Sequence, residues 1–579
     1  MALLVGLGLL GLCSPAGAAD AEQQFATLLE DMWERDMQEY PRFATSVGDH
    51  RFDDRLTAVS LADSARRNEQ DEKYLQRLDA ISRDQLSASN QMNADILRRE
   101  LNDSLSEYKF KNHLMPITQR SGFHINFPEL RKKVPLKTVT DYENYAARLR
   151  AFQQLANGHI ELMRAGVAAG QVLPTVVLDG WEESIDAQIV DDPQKSLLYE
   201  PVQEFPSTVP EEKHEQLRTL VHEAIAESVI PTYQRFRKFM AEEYVPQARD
   251  SIGASAVPGG RDFYRYRVRK YSTLEMTPEE VHQIGLAEVK RIRSEMDDII
   301  RRVEFEGDFE AFTTFLREDP QFYAKTAEDL LKEVSFVLKK MDGKLPSLFG
   351  RLPRMPYGVQ EVPTYVAPRT TAAYYQRPSG DGTRAGFYFM NTYNLSSRPL
   401  YTVAALSLHE AVPGHHLQIA LQQELEDLPK FRRYSGFTAF VEGWALYAER
   451  LGLEVDMYED PYSDFGRLTM EIWRACRLVV DTGIHYFGWS REQAIEYLRS
   501  NSAMSMHNIR AEVDRYISWP GQALAYKIGE MKIRELRALA EKSLGEKFDI
   551  RAFHDVVLGS GGVPLDVLEA NVTAWIETQ

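Results

Sequence analysis

The sequence predicts a mostly α-helical fold, and three observations support this class. Apolar residues recur at three- and four-residue spacing over most of the 579-residue chain, which is the pattern of helices that bury one face. Segments that alternate apolar and polar residues, as strands do, are few. Hydrophobic residues at 44% and charged residues at 27% are ordinary for a globular protein. This length supports large cores without disulfides or structural metals.

The first 19 residues are typical of a signal peptide rather than of the folded protein. The apolar run Ala2–Leu12 is too short to span a bilayer but fits the apolar region of a leader. Ala16-Gly17-Ala18 then gives a small-x-small cleavage site. A lipid anchor on Cys13 is the less favoured alternative, because the residue before it is leucine where a small residue is needed. We therefore expect a periplasmic or secreted protein without a transmembrane span in its mature chain.

Six segments of the mature chain carry the helical pattern most clearly. They cover residues 22–48, 62–82, 90–111, 141–168, 212–247 and 277–305. The last has a strong start signal in Thr277-Pro278-Glu279-Glu280, with an N-cap, a first-turn proline and a capping-box glutamate.

Two segments carry strand signals. Residues 261–271 alternate basic and aromatic side chains after two glycines, which predicts a strand with one solvated face. The same residue types could stack on nucleic acid bases, but the chain has 86 acidic against 68 basic residues and a net charge of −18. This balance argues against a nucleic-acid partner and favours, weakly, a negative channel for cationic peptides. The second strand candidate is 385–392, which follows the turn residues 379–382.

Three of the thirteen histidines fall in His409-Glu410-Ala-Val-Pro413-Gly414-His415-His416. Two histidines and a glutamate are the ligands and the general base of many zinc hydrolases. The usual spacing would need a histidine four residues after His409, where Pro413 stands and breaks the helix. A bulge at 412–414 would make His409 and His415 the ligands. His416 would then contact a ligand or the substrate, and Glu410 would be the base. The alternative is a polar helix break with surface histidines.

A third ligand is expected from a downstream helix that contains Glu442 and Glu449. Glu442 precedes a glycine, which permits the close approach of two helices, and we predict it as the metal ligand. Glu449 lies two turns further on the same face, where it could accept a hydrogen bond from a ligand histidine. Two histidines, one carboxylate and an open position predict a catalytic site for one Zn²⁺ ion. The alternative for Glu442 is a solvated carboxylate at a helix start.

Removal of the leader leaves Cys476 as the one cysteine of the mature chain. It lies in an apolar helical pattern, so we predict a buried and unreactive thiol.

At these residues the chain resembles the bacterial family catalogued as domain of unknown function 885. The resemblance covers nearly the whole mature chain. The matching residues are His409-Glu410-x-x-Pro413-Gly414-His415-His416-x-Gln418, Glu442-Gly443-Trp444-Ala445-x-Tyr447, Val480-Asp481-Thr482-Gly483-Ile484-His485, Arg515-Tyr516-x-x-x-Pro520-Gly521-Gln522-Ala523-x-Ala525-Tyr526, Tyr40-Pro41-x-x-Ala44-Thr45 and Phe553-His554-Asp555.

More distantly, the chain is similar to helical gluzincin zinc metallopeptidases. This similarity implies two helical halves around a deep channel, with a small β element beside the metal site. The expected single domain covers 20–579, with halves of about 20–380 and 381–579. The similarity also implies that the strand at 387–392 could pair with an extended peptide.

Further site residues follow from the same similarity. Tyr516 or Tyr526, with His507 behind them, would stabilise a developing oxyanion. Arg510 and Arg515 could hold the terminal carboxylate of a peptide. For each of these residues the alternative is a structural role in packing or ion pairing.

The sequence thus predicts an exported zinc-dependent metallopeptidase that hydrolyses short peptides, of the oligopeptidase, carboxypeptidase or dipeptidase type. One alternative is a metal-dependent amidase that acts on non-peptide or cell-wall amides. A second is a catalytically inactive protein that binds peptide or metal.

Overall fold

A computed structural model describes residues 15–118, 120–364 and 367–579 of the chain. Residues 1–14, with most of the expected leader and Cys13, lie outside the described residues. The described chain is mostly α-helical, as the sequence predicts. Within this part of the chain, no helix is both long enough and apolar enough to cross a bilayer.

The helices up to residue 348 include all six segments that the periodicity indicates. They are α1 (Pro15–Glu39), α2 (Pro41–Ser46), α3 (Leu61–Ala80), α4 (Ala88–Lys109), α5 (Phe123–Asn126), α6 (Val139–Ala168), α7 (Trp181–Asp186), α8 (Glu211–Ala224), α9 (Ile230–Phe239), α10 (Gly260–Ser272), α11 (Pro278–Arg302), α12 (Phe309–Glu318), α13 (Ala327–Asp342) and α14 (Leu345–Leu348). The capping box at the start of α11 forms between Thr277 and Glu280. The segment predicted as 212–247 is divided by π-helical turns at 225–229 and 240–244.

The helices after residue 400 carry the candidate site. They are α15 (Val403–Glu410), α16 (His415–Gln423), α17 (Lys430–Tyr434), α18 (Thr438–Leu451), α19 (Pro461–His485), α20 (Arg491–Asn501), α21 (Met506–Ser518), α22 (Ala525–Leu544), α23 (Ile550–Gly559) and α24 (Leu565–Glu577).

The strand prediction for 261–271 is wrong, because this segment forms helix α10. Arg261, Arg265 and Arg269 follow one another at four-residue intervals and are all exposed on one helix face. Arg267 is buried instead, and its guanidinium lies 2.9 Å from a carboxylate oxygen of Glu107 on α4. The alternation of basic and aromatic residues fits a period of four as well as a period of two, and burial decides between them.

A three-stranded sheet lies between the two groups of helices along the chain. Its strands are β1 (Tyr357–Glu361), β2 (Ala373–Gln376) and β3 (Gly386–Met390), in the order β1-β3-β2. The strand predicted at 385–392 is confirmed as β3. Its expected pairing with a peptide is wrong, because β1 pairs with β3 in parallel and β2 pairs with it in antiparallel orientation. The outer edges of this sheet belong to β1 and β2.

Two large hydrophobic cores hold the helices together, and α19 contributes to both. One core runs from Ile117 to Ala523 and the other from Ile96 to Val572 along the chain. Each therefore contains residues from before and after position 380. Cys476 of α19 is fully buried in the first core, and this burial raises the pKa of its thiol well above the usual range. The prediction of a buried thiol is confirmed.

A buried charge cluster joins α11, α19 and α22. The ammonium nitrogen of Lys527 has no solvent exposure, and carboxylate oxygens of Glu288, Glu471 and Glu530 lie 3.0, 2.8 and 2.8 Å from it. A lysine in such a position is retained only because opposing charges replace its lost hydration. The cluster therefore links α11, α19 and α22 through one buried cation.

Candidate metal centre

His409 and Glu410 are the last two residues of α15, and the chain reverses direction directly after them, before α16 begins at His415. The peptide bond between Val412 and Pro413 is cis, and the backbone N–H of Gly414 donates to the carbonyl of Leu408 at 2.9 Å. A Cβ atom on Gly414 would stand 2.0 Å from the carbonyl oxygen of His409. Glycine is therefore required where the chain folds back over the helix end, and the predicted interruption at 412–414 is confirmed.

This reversal brings His409 and His415 together with Glu442 of α18. Each residue offers one ligand atom, and these three atoms all lie within 4.8 Å of one another. The Nε2 atoms of His409 and His415 lie 3.6 and 3.5 Å from the same carboxylate oxygen of Glu442. The structure thus brings together the three residues that the sequence predicts as metal ligands.

Two glycines allow α18 to approach α22 closely beside Glu442. A Cβ atom on Gly443 would lie 2.5 Å from the Cα atom of Gly529. A Cβ atom on Gly529 would lie 1.9 Å from the carbonyl oxygen of Ala439. The close helix contact predicted from the glycine after Glu442 is therefore present.

Glu449 fixes the orientation of the His409 ring. One of its carboxylate oxygens lies 2.8 Å from Nδ1 of His409, and Nη2 of Arg474 lies 3.4 Å from the same oxygen. Because Nδ1 is held by this buried carboxylate, Nε2 is the nitrogen that faces the cluster. The structure places Glu449 where the sequence predicts a partner for a ligand histidine.

The charges of the cluster are strongly coupled. Burial alone would lower the pKa of His409, but the neighbouring carboxylates of Glu442 and Glu449 outweigh it and raise the pKa to about 9. Burial would raise the pKa of Glu442, but the two neighbouring histidines hold it well below its usual range. Burial raises the pKa of Glu410, which keeps only 8% exposure. The carboxylates therefore stabilise positive charge at the centre of this cluster.

The donor set and its spacing fit a zinc ion. Zinc binds histidine nitrogens and carboxylate oxygens at about 2.0–2.2 Å in tetrahedral geometry, which separates two ligand atoms by about 3.4 Å. The observed separations of 3.6 and 3.5 Å agree with this value. They exceed the roughly 2.7–3.2 Å of an ordinary N–H···O hydrogen bond.

A cavity of about 1400 Å³ is lined in part by residues of α15 and α19. Its walls include Leu406, one helical turn before Glu410 on α15, and Met470 and Trp473 of α19. Trp473 precedes Arg474, which contacts Glu449. The three ligand residues, Glu410 and Tyr526 are not among its walls.

The two predicted oxyanion donors have different surroundings. The Tyr516 hydroxyl is buried and accepts hydrogen bonds from Nε1 of Trp473 and Nε of Arg477, both at 3.0 Å. Tyr526 is half-buried, and its ring centre lies 4.2 Å from the Arg477 guanidinium carbon. Burial and the charge of Glu442 raise the pKa of Tyr526. Tyr526 is thus the better placed tyrosine, and its catalytic role stays a prediction.

His416 faces away from the ligand cluster. Its Nδ1 lies 2.9 Å from the Tyr375 hydroxyl, and its Nε2 lies 3.0 Å from the carbonyl oxygen of Met355. These contacts tie α16 to β2 and to the residues before β1. His415 is therefore the histidine of this pair that faces His409 and Glu442.

The predicted carboxylate-binding arginines also differ. Arg515 donates to Glu512 and, through Nη1, to Gln522 at 2.7 Å, so it belongs to an ion pair within the protein. Arg510 is exposed on the wall of the cavity, as is His507. Their roles toward a substrate stay predictions.

Two relevant arginines, Arg398 and Arg474, are missing from the sequence-based predictions. Arg474 stands in an apolar helical stretch, which is a signal that its charge has a buried partner. Arg398 lies between β3 and α15, and its position in the cavity has no local sequence signal.

The fold and the cluster define a mostly α-helical protein with a candidate site for one metal ion. The chain belongs to the bacterial protein family of unknown function DUF885, whose family model matches residues 41–572. None of the curated proteins compared with the chain matches it.

Two solved structures resemble the whole chain. A candidate lipoprotein from Colwellia psychrerythraea superimposes with a TM-score of 0.91 and 29% identity, over 96% of this chain and 100% of that one. A candidate lipoprotein of unknown function from Shewanella oneidensis gives a TM-score of 0.70 and 17% identity, over 94% and 99% of the two chains. The second likeness shows a shared fold. The predicted similarity to gluzincin peptidases stays a prediction.

Proposed function

We propose that this protein is a zinc-dependent peptidase that hydrolyses short peptides. The observation that carries the proposal is the convergence of His409, His415 and Glu442, with ligand atoms within 4.8 Å of one another and Glu410 adjacent to the first of them. Two histidines and one carboxylate leave a position for water or substrate, which is the arrangement of catalytic rather than structural zinc sites.

Each residue of the candidate site would have a separate role in hydrolysis. A bound zinc ion would supply Lewis acidity and a water molecule of lowered pKa. Glu410 would take the proton of the attacking water and deliver it to the leaving amine, as a general base and then a general acid. Glu449 would hold the His409 ring in one tautomer. Tyr526 would donate a hydrogen bond to the oxyanion that develops on the substrate carbonyl.

The size of the large cavity lined by α15 and α19 favours a peptide over a small amide. Sites for drug-sized ligands typically have about 300–1,000 Å³, and this cavity has about 1400 Å³. Polar and apolar residues both line it, so its walls can contact the backbone and the side chains of an extended chain of a few residues. The amidase alternative has no comparable observation in its favour.

We also propose that the protein is exported. The apolar run and the small-x-small site of the first 19 residues support export, and so does the similarity to the two candidate lipoproteins. A radiolabelled fatty acid would be incorporated through Cys13 if the chain is lipidated. Loss of that label in Cys13→Ala, with export unchanged, would distinguish a lipid anchor from simple cleavage.

Metal analysis of the purified full chain tests the site directly. We expect one zinc ion per chain, lost in His415→Ala and retained in His416→Ala. The two histidines are neighbours in the sequence, so the second variant is a matched control for the first. A folded wild-type protein without stoichiometric zinc, or loss of metal in His416→Ala alone, would contradict the proposed ligand set.

The reaction is tested by profiling products from a mixed peptide library. We expect cleavage by the wild-type protein and none above background by Glu410→Gln with its zinc still bound. Equal cleavage by both proteins would remove Glu410 from the mechanism. Cleavage of non-peptide amides alone would replace the peptidase proposal by the amidase alternative.

A further inference from the structure

Arg398 is a buried cation for which the described part of the chain supplies no ion-pair partner. Its residue is only 6% exposed, and its Nε and Nη1 donate to the backbone carbonyls of Asn391 at 2.9 Å and Ser397 at 3.0 Å. Among the described residues, no carboxylate forms an ion pair with it, and its Nη2 has no hydrogen-bond partner. A buried charge without an opposing charge is costly unless a ligand supplies that charge.

Arg398 forms part of the wall of the large cavity, together with Arg317. Arg317 likewise binds only backbone carbonyls, those of Ala503 at 3.2 Å and Ser502 at 3.1 Å. The segments that carry the two arginines are joined by an isolated β-bridge between Tyr323 and Pro399. Neither of the two guanidinium groups forms an ion pair with a carboxylate of the described residues.

Two other arginines on the same cavity wall, Arg491 and Arg120, have carboxylate partners within the protein. Arg491 makes two short contacts with the carboxylate of Asp514, at 2.6 and 2.9 Å. Arg120 lies 3.4 Å from a carboxylate oxygen of Glu512. Arg398 differs from these two arginines because it is buried on the same wall without a carboxylate partner among the described residues.

We propose that Arg398, supported by Arg317, binds a carboxylate group of the substrate in this cavity. The planar guanidinium group matches a carboxylate through two parallel N–H···O bonds. Arg398 lies in the segment that leads from β3 into α15, so the bound carboxylate would be held at a fixed distance from Glu410. The inference rests on the proposed function, because it takes the ligand to be a peptide.

The carboxylate can come from two sources, the C-terminus of the peptide or an acidic side chain. Both present the same planar anion to Arg398. The choice matters for the reaction, since a subsite for the C-terminus would make the protein an exopeptidase. Ligands in which only one of the two carboxylates is present separate these sources.

The test compares three peptides of otherwise identical sequence by calorimetric titration. The first is a neutral peptide with a free C-terminal carboxylate, the second its C-terminal amide, and the third the amide with one glutamate side chain. The titrations use the Glu410→Gln protein loaded with zinc, which prevents turnover of the ligand. We expect the uncharged amide to bind about tenfold or more weakly than the better of the two carboxylates, the loss associated with a charged hydrogen-bond pair.

Two arginine variants assign that preference to a residue. Arg398→Gln is expected to abolish the difference between carboxylate and amide, while Arg491→Gln is expected to preserve it. Equal binding of all three peptides, no binding by any of them, or a preference that survives in Arg398→Gln would overturn the inference. The comparison between peptides needs no substitution at Arg398, so it stands even if that variant fails to fold.

The outcome is independent of the test of peptidase activity. If the peptides with a carboxylate and the uncharged peptide amide bind equally and are hydrolysed at equal rates, the proposed function is supported and the carboxylate subsite is refuted. If a peptide with a carboxylate binds preferentially but the wild-type protein hydrolyses none of the peptides, the carboxylate subsite is supported and the peptidase function is refuted.

Discussion

Replacement of Glu449 by glutamine tests whether a buried carboxylate orients a metal ligand. The carboxylate is 1% exposed and accepts from Nδ1 of His409 at 2.8 Å. The substitution keeps the shape and one acceptor oxygen but removes the charge, so the hydrogen bond to the His409 ring becomes weaker. Loss of such a partner typically weakens metal binding about 10- to 100-fold. We expect about tenfold for Glu449→Gln and about 100-fold for Glu449→Ala, since alanine removes the acceptor as well.

These factors agree with the energy of the contact. A hydrogen bond to a charged group contributes about 1.5–3 kcal/mol, and each factor of ten in affinity corresponds to about 1.4 kcal/mol. The contact is buried, so solvent does not screen it appreciably.

The assay is competition for zinc with a chromophoric chelator, with thermal unfolding of each metal-free protein as the test of folding. Folding has to be checked because Arg474 also contacts Glu449 and would lose an opposing charge. Glu454→Gln serves as the control, since this residue follows α18 and pairs with Arg537 at the surface. Wild-type zinc affinity in a folded Glu449→Gln protein would refute the role of Glu449 in holding His409.

Four further predictions concern catalysis, backbone shape, buried charge and thiol reactivity. Glu410→Gln is expected to lower the hydrolysis rate by about 10²–10⁴-fold, the usual contribution of a general base, and unchanged zinc content measured on the same sample excludes loss of the site. Gly414→Ala is expected to destabilise the protein by about 1–3 kcal/mol in urea unfolding, because the added methyl group overlaps the preceding helix end. Gly559→Ala is its control, because a Cβ atom there would meet open space. Equal urea midpoints for the Gly414→Ala and Gly559→Ala proteins would contradict the steric argument. Lys527→Met is expected to cost about 3–5 kcal/mol, because Glu288, Glu471 and Glu530 lose a shared and fully buried cation, and a smaller loss in the same urea assay would show that their remaining arginine partners compensate for it. Cys476 is expected to resist iodoacetamide in the native protein and to react after unfolding, and rapid native labelling followed by mass spectrometry would show that the thiol is accessible.

The candidate site could be predicted from the sequence because its residues lie close together along the chain or follow a helical spacing. The interruption by Pro413 could be inferred from elementary backbone sterics, and with it the choice of His415 as the partner of His409. Glu449 followed from its position two turns after Glu442. What the sequence could not give is the orientation of His416, because that depends on Tyr375 and Met355, which are far away in the chain.

Other features depend on long-range packing and therefore escaped prediction. The residues of α10 satisfy two periodicities, and the decision between helix and strand comes from the burial of Arg267 against α4. The central position of β3 follows from pairing with two strands whose own sequence signals are weak. The significance of Arg398 lies in its having no ion-pair partner among the described residues, and no local sequence pattern reports which contacts a side chain lacks in the folded protein.

The participation of α19 in both cores has a consequence for how the protein can be divided. A fragment of 381–579 would retain the predicted metal ligands but would expose the faces of α19 that residues such as Val289 and Phe312 cover in the intact protein. The complementary fragment, residues 20–380, would lack helix α19, against which its helices pack. Neither part would be expected to persist in a cell against proteolysis. Gene truncations that aim at a minimal enzyme should therefore fail, and insertions or tags are better placed in exposed loops outside the cores.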